Sequence, residues 1–176
     1  GKISYLEGSK NRYEDIALGI DCEKCHGPGE RHIRAVQEGK EIKHSIINPS
    51  ELPIDRQFDV CQQCHLQGVN VMSEDATVLD FRPAMLLEEQ MDVFIEERGD
   101  PEAFGIASHA ERLQQSRCFI ASDGKLTCTT CHNPHRSIHL INKGAFVRQC
   151  QGCHEETKES VCSAPVTHQQ SMQGDC

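Results

Sequence analysis

The most informative stretch of this sequence is Cys128-Thr129-Thr130-Cys131-His132-Asn133-Pro134-His135. It combines two thiols, an imidazole directly after the second thiol and another imidazole three residues later. The five-residue core, C-x-x-C-H, occurs three more times, as Cys22-Glu23-Lys24-Cys25-His26, Cys61-Gln62-Gln63-Cys64-His65 and Cys150-Gln151-Gly152-Cys153-His154. This core is the attachment signature of c-type haem, so the sequence predicts four covalently bound haems with their irons.

The spacing within the motif matches what covalent haem attachment requires. Cysteines three positions apart can bond to the two vinyl groups on one edge of a porphyrin, and the next histidine is then placed under the iron as its proximal ligand. The predicted thioether residues are Cys22, Cys25, Cys61, Cys64, Cys128, Cys131, Cys150 and Cys153. The predicted proximal ligands are His26, His65, His132 and His154.

Two other types of site use paired cysteines. Cys128, Cys131, Cys150 and Cys153 also fit the spacing of a structural zinc site, but zinc has no use for a histidine after every pair. A thioredoxin-type redox pair belongs beside a βαβ pattern and does not normally recur four times. The repeated histidine therefore favours haem over both alternatives.

The composition suits a protein whose interior is built from haem. Hydrophobic residues make up 37% of the 176 residues, aromatic residues 5%, and tryptophan is absent, so a full protein core is difficult to build. Four apolar macrocycles would supply core material, and we expect the apoprotein to be largely disordered. The formal charge of −9 argues against nucleic acid and favours redox protein partners with basic surfaces.

Three cysteines remain outside the haem motifs, namely Cys118, Cys162 and Cys176. One disulfide with one odd thiol is the simplest outcome, and Cys176 can also begin a further motif in a longer chain. Covalent haem attachment takes place outside the cytoplasmic membrane, so we expect a periplasmic or extracellular protein. Residues 1–7 show no leader pattern and no stretch has the length of a transmembrane segment, which predicts a processed, soluble product.

Six histidines remain for the opposite, distal faces of the irons. His135 is too close in sequence to His132 to cap the same iron, so we expect it to cap a neighbouring one, which would hold two haems close together. The predicted distal ligands are His32, His109, His135 and His168. His44 and His139 are the alternatives that can replace one of these four.

The periodicity predicts mostly short helices. They are expected from His32 to Val36, Arg56 to Leu66, Leu86 to Arg98, His109 to Arg117 and Ala145 to Thr157. Residues 67–82 indicate a loop with one short strand. Met85 and Met91 are predicted as core residues rather than iron ligands, because a methionine on an apolar stripe more often packs in a core.

Three runs resemble the multihaem cytochromes c related to the tetrahaem electron acceptor of hydroxylamine oxidoreductase: C-E-K-C-H-G-P-G-E-R-H (22–32), R-L-Q-Q-S-R-C-F (112–119) and L-T-C-T-T-C-H-N-P-H (126–135). The resemblance covers residues 17–176. It implies a mainly α fold with extensive loops, in which short helices wrap around closely packed haems. It also implies bis-histidine ligation, with His32 and His135 as distal ligands. The chain length separately predicts a single domain over residues 1–176.

These observations predict an electron-transfer protein with a chain of four bis-histidine haems, either as a soluble carrier or as a subunit of a complex, homo-oligomer or haem filament. The alternative is an oxidoreductase that acts on small nitrogen or sulfur oxides at a five-coordinate haem. No C-x-x-C-K motif marks such a haem in this sequence, and no catalytic residue is predicted.

Overall fold

The fold is described from a computed structural model of the chain. The structure describes residues 4–5, 13–14, 19–77, 80–95 and 109–154. By contacts the chain divides into two compact units, Gly1–Ile106 and Ala107–Cys176. Each unit contains two of the four C-x-x-C-H motifs. The single domain predicted over residues 1–176 stays a prediction.

The first unit combines short helices with two small antiparallel sheets. Its α-helices are α1 (Glu23–His26), α2 (Glu30–Gln37) and α3 (Ile54–Gln62), with 3-10 turns at Pro49–Glu51 and Leu87–Glu89. Strands β1 (Ser4–Tyr5) and β2 (Tyr13–Glu14) form one sheet, and β3 (Val69–Met72) and β4 (Met91–Phe94) form the other.

The described part of the second unit is helical with connecting turns. It consists of α4 (His109–Gln115), α5 (Arg117–Ala121), α6 (Cys128–Cys131), a 3-10 turn (Ile138–Leu140) and α7 (Lys143–Gln151). Side chains cap two of these helices, since Ser116 accepts from the Phe119 N–H and Asn142 accepts from the Gly144 N–H. The described residues are therefore rich in short helices and loops, with little sheet, as predicted.

Among the described residues, the buried hydrophobic core is small and lies mostly in the first unit. Phe81, Leu87 and Met91 form a buried cluster, and Leu66, Met72, Met85 and Val93 pack against it. The assignment of Met85 and Met91 to the core is therefore confirmed. Two hydrogen bonds hold α3 against this region: the Leu87 N–H donates to Asp59 at 3.0 Å, and the Arg56 guanidinium donates to the Ala84 carbonyl.

The predicted helix from Leu86 to Arg98 is wrong over its described part. Met91–Phe94 is a strand that pairs with Val69–Met72, in the register Met72 with Met91 and Val69 with Phe94. The apolar residues of this segment fit a helical stripe, but Met91 is buried and Val93 half-buried while Asp92 is exposed, which is the alternation of a strand. Pairing with β3 decided between the two patterns, and that strand was expected within residues 67–82.

The other predicted helices exist with shifted ends. The structure has Glu30–Gln37, Ile54–Gln62, His109–Gln115 and Lys143–Gln151. The first begins before His32 because Gly29 and Glu30 already turn helically, and the Gly29 N–H is held by the Glu23 carboxylate at 2.8 Å. Helix α3 ends before Leu66 because the chain turns at the second haem motif.

Candidate haem sites

All four C-x-x-C-H motifs adopt the same backbone turn. In each motif the histidine N–H donates to the carbonyl of the first cysteine at 2.9 Å, for the pairs His26 and Cys22, His65 and Cys61, His132 and Cys128, and His154 and Cys150. This bond between residues four apart closes one helical turn and puts the two cysteines on the same face. The turn therefore presents two sulfurs and an imidazole together, as attachment to one porphyrin requires.

The four motifs occur in two structural settings that repeat along the chain. The first and third motifs form isolated four-residue turns, α1 and α6. The second and fourth lie at the ends of nine-residue helices, α3 and α7, in which Cys61 and Cys150 each hold the last position but one. Each unit thus contains an isolated turn followed by a motif at a helix end.

The ring of His26 is oriented by the backbone. Its Nδ1 lies 2.8 Å from the Ile47 carbonyl, and the Ile47 N–H donates to the His26 carbonyl at 3.0 Å. A carbonyl can only accept, so Nδ1 carries the hydrogen and Nε2 of the neutral ring has the lone pair. A histidine that ligates a metal through one nitrogen commonly donates from the other in this way.

One hydrogen bond and one electrostatic interaction connect the first and second motifs. The Gln63 side-chain amide donates to the Lys24 carbonyl at 3.0 Å, which links the middle of one motif to the middle of the other. Burial raises the pKa of the Cys25 thiol, and the nearby Cys64 thiol raises it further. The first and second motifs are therefore close in space, although residues 26–60 separate Cys25 from Cys61.

The third and fourth motifs are also neighbours. The ring of His132 meets the ring of Phe146, on helix α7, edge to face with a centroid distance of 5.7 Å. Burial raises the pKa of the Cys131 thiol, and the thiols of Cys150, Cys118 and Cys153 raise it further. The second pair is therefore also assembled within its unit, with the exposed Cys118 thiol close by.

The predicted distal ligands are found in different environments. His32 lies half-buried on α2, His109 is exposed at the first residue of α4, and His135 is exposed after an Asn133 side chain that accepts its N–H at 3.0 Å. His168 lies outside the described residues. The alternatives His44 and His139 are both exposed.

Several residues that shape these sites have no signal in the sequence. Ile47 orients His26, Ser45 contacts His32 at 2.8 Å, and Gln63 joins two motifs. None is marked by a sequence pattern, because each acts on a residue that is distant in the sequence. Gln63 even occupies one of the two variable positions of C-x-x-C-H.

Of the three cysteines outside the motifs, one lies among the described residues. Cys118 has a free thiol, while Cys162 and Cys176 lie outside the described residues. Within the described ranges, no group of three or more His, Cys, Asp or Glu side chains is arranged to hold a metal ion directly. Among the same residues, no helix combines the length and apolarity needed to cross a membrane.

Comparison with known proteins agrees with the motifs. A family described as "Doubled CXXCH motif" matches residues 120–159, which contain the third and fourth motifs. The chain is also similar to the multiheme cytochrome MtrA of Shewanella baltica (strain OS185), with 24% identity over 172 residues that cover 92% of this chain and 51% of the relative. This chain thus spans about half the length of that curated relative. No solved structure matches.

The motifs and both matches support a multihaem c-type cytochrome. The donor set fits the cofactor, since each turn offers paired sulfurs and an imidazole, and at His26 the ring is oriented as a metal ligand. The resemblance to the particular tetrahaem family stays a prediction.

Proposed function

We propose that this chain is an electron-transfer protein that carries electrons along four covalently bound, bis-histidine c-type haems. Bound haem would supply the redox chemistry, because its iron accepts and releases single electrons. The observation that carries the proposal is the 2.9 Å bond from histidine N–H to cysteine carbonyl that recurs in every C-x-x-C-H turn. Four identical turns favour four equivalent attachment sites, with His26, His65, His132 and His154 as proximal ligands.

Bis-histidine ligation is supported most directly at His32. This half-buried ring is held through Nδ1 by the Ser45 hydroxyl at 2.8 Å, as His26 is held by Ile47. We propose His32, His109, His135 and His168 as the distal ligands, with His44 or His139 as the replacement if one of them fails. Two neutral imidazoles on each iron favour lower potentials than a methionine and histidine pair, which raises the potential.

The distribution of apolar side chains supports haem as the main core material. Only six hydrophobic residues are buried among the described ones, while eleven large hydrophobic side chains are exposed. Several exposed ones lie close in sequence to the motifs or to their histidines, for example Ile20, Ile33 and Leu140. We propose that they cover haem faces, which would bring apolar area out of water on both the protein and the macrocycle.

The pairing of the motifs supports a route for electrons within each unit. Lys24 and Gln63 join the first pair, and His132 and Phe146 join the second. We propose that each unit holds a closely spaced haem pair, in line with the doubled motif at residues 120–159. The protein's own contribution is to fix the spacing of the two attachment turns.

The location of the protein and its redox partners can be proposed from the cofactor and the net charge. We propose a periplasmic or extracellular location, since c-type haem is attached outside the cytoplasm, and redox partners with basic surfaces, since the formal charge is −9. We also propose that copies can assemble into an oligomer or filament, which sedimentation at dilute and at high concentration would test.

The test is to count haems and determine their spin states in the purified protein. The protein should stain for haem on a gel, and its intact mass should exceed that of the polypeptide by four haems. Electron paramagnetic resonance should show that every iron is low-spin. Colourless protein with the mass of the bare polypeptide would overturn the proposal. A high-spin signal that shifts on addition of nitrite or hydroxylamine would replace it with the oxidoreductase alternative.

A further inference from the structure

The short segment from Ile42 to Ile47 contacts two histidines, one predicted as a proximal and the other as a distal iron ligand. Ile47 holds the proximal candidate His26 through both its N–H and its carbonyl. Two residues earlier, the Ser45 hydroxyl lies 2.8 Å from Nδ1 of the distal candidate His32. Ile47 contributes only backbone atoms to its contacts with His26. Ser45 contributes a side chain, which can be changed by substitution.

The hydrogen bonds of Ser45 fix which nitrogen of His32 carries the hydrogen. The Ser45 hydroxyl donates its single hydrogen to the Ile42 carbonyl. Its oxygen can therefore only accept from the ring, so Nδ1 of His32 is the protonated nitrogen. In the neutral ring this leaves the lone pair on Nε2, which is the nitrogen that can ligate iron.

The turn that presents Ser45 does not depend on its hydroxyl. The Ser45 N–H donates to the same Ile42 carbonyl at 3.0 Å, and His44 adopts a positive φ of 60° that reverses the chain. Substitution of Ser45 by alanine keeps this backbone bond and removes only the hydroxyl. The contribution of the hydroxyl to His32 can therefore be separated from the fold of the segment.

We propose that Ser45 is a positioning residue that fixes the ring orientation and tautomer of His32 and tunes the haem iron that His32 ligates. This inference rests on the proposed function, because it requires His32 to be a distal ligand. An acceptor at Nδ1–H makes the imidazole a stronger electron donor, which stabilises the ferric iron. Loss of the Ser45 hydroxyl should therefore weaken the His32–iron bond and raise the potential of that haem.

The experiment compares variants of the full haem-loaded chain. In Ser45→Ala, cyanide should displace the distal histidine of one haem at about a tenfold lower concentration, since changes in such outer partners typically cost about 10–100-fold in affinity. One reduction midpoint should rise while the other three stay. Ser45→Thr keeps a hydroxyl and should show the parent's cyanide concentration and midpoint. Ser50→Ala is the matched control, because the Ser50 hydroxyl donates only to the exposed Asn48 side chain at 2.9 Å and should leave both readouts unchanged.

His32→Ala separates failure of this inference from failure of the ligand assignment. If His32→Ala gives one high-spin haem and Ser45→Ala matches the parent, the role of Ser45 is overturned while His32 remains a ligand. If His32→Ala leaves all haems low-spin, the assignment of His32 fails and the inference fails with it. If Ser45→Ala loses haem, recovery in Ser45→Thr supports the hydroxyl role, and an equal loss in both variants overturns it.

Discussion

The two haem-motif pairs are built alike locally but are supported differently. In both units an isolated C-x-x-C-H turn is followed by a motif at the end of a nine-residue helix. In the first unit α3 also packs against a protein core, with Phe58 exposing 2% and Leu87 5% of its surface. In the described residues of the second unit, Ala110 is the only buried hydrophobic residue.

The two units should depend on bound haem to different degrees. The first pair is joined across 39 residues by the Gln63 amide, so its assembly needs a folded chain between the motifs. The second pair is separated only by residues 132–149, and the described residues of its unit bury a single hydrophobic side chain, Ala110. We therefore expect the second unit to rely more on haem for its stability, since buried apolar area is the main favourable contribution to folding.

Removal of one haem from each unit should give the largest effect. The variants are Cys61→Ala with Cys64→Ala, and Cys150→Ala with Cys153→Ala, and each should lose the mass of one haem. The second should lose amide-exchange protection throughout residues 109–154, because little protein core remains there. The first should keep protection in β3, β4 and the cluster around Leu87. Equal loss of protection in both units would refute the comparison.

Gln63→Ala should have an intermediate effect, confined to the first pair. It removes hydrogen bonds from the amide to the carbonyls of Lys24 and Val60, at 3.0 and 2.7 Å. The free energy of unfolding by urea should fall by about 1–2 kcal/mol. The separation between two of the four reduction midpoints should also change, because the two attachment turns are no longer tied together.

Gln62→Ala is the matched control for this change, since it removes the same kind of half-buried side chain one position earlier. It should leave all four midpoints in place. If both variants shift the midpoints equally, the link between Gln63 and Lys24 is not what sets the spacing of the pair.

The smallest effect concerns Asp59, which connects α3 to the core of the first unit. Burial raises the pKa of its carboxyl, against the lowering effect of the Leu87 N–H bond. The folded protein therefore holds this proton more tightly than the unfolded chain, so this group's contribution to stability decreases as pH rises from about 3.9 through the raised pKa. Asp59→Asn should remove this dependence of the unfolding free energy on pH. Because asparagine keeps an acceptor for the Leu87 N–H, the variant should be more stable than the parent at pH 7 by less than about 1 kcal/mol.

The measurement is urea unfolding of the haem-loaded protein at several pH values, with Asp92→Asn as the control at an exposed position of β4. The slope difference between parent and Asp59→Asn should appear only in acid and only in the first unit. A variant whose slope equals that of its parent would show that Asp59 is not perturbed by the packing of α3.

The attachment chemistry and most of the helical segments follow from local sequence alone. Each C-x-x-C-H turn is closed by a bond between residues four apart, and helix α7 is capped by its own Asn142, so both depend only on neighbouring residues. The supply of histidines and the small share of apolar residues also follow from composition. These features are local, and local patterns can be read directly.

The way these local elements pack against one another depends on contacts between residues distant in the sequence. Residues 91–94 form a strand because their backbone pairs with β3. The helical spacing of apolar residues in this segment does not indicate that pairing. The contacts of Gln63 with Lys24 and of Ser45 with His32 join residues 39 and 13 positions apart. Such contacts depend on how the intervening chain packs, and therefore on interactions that no short window of sequence contains.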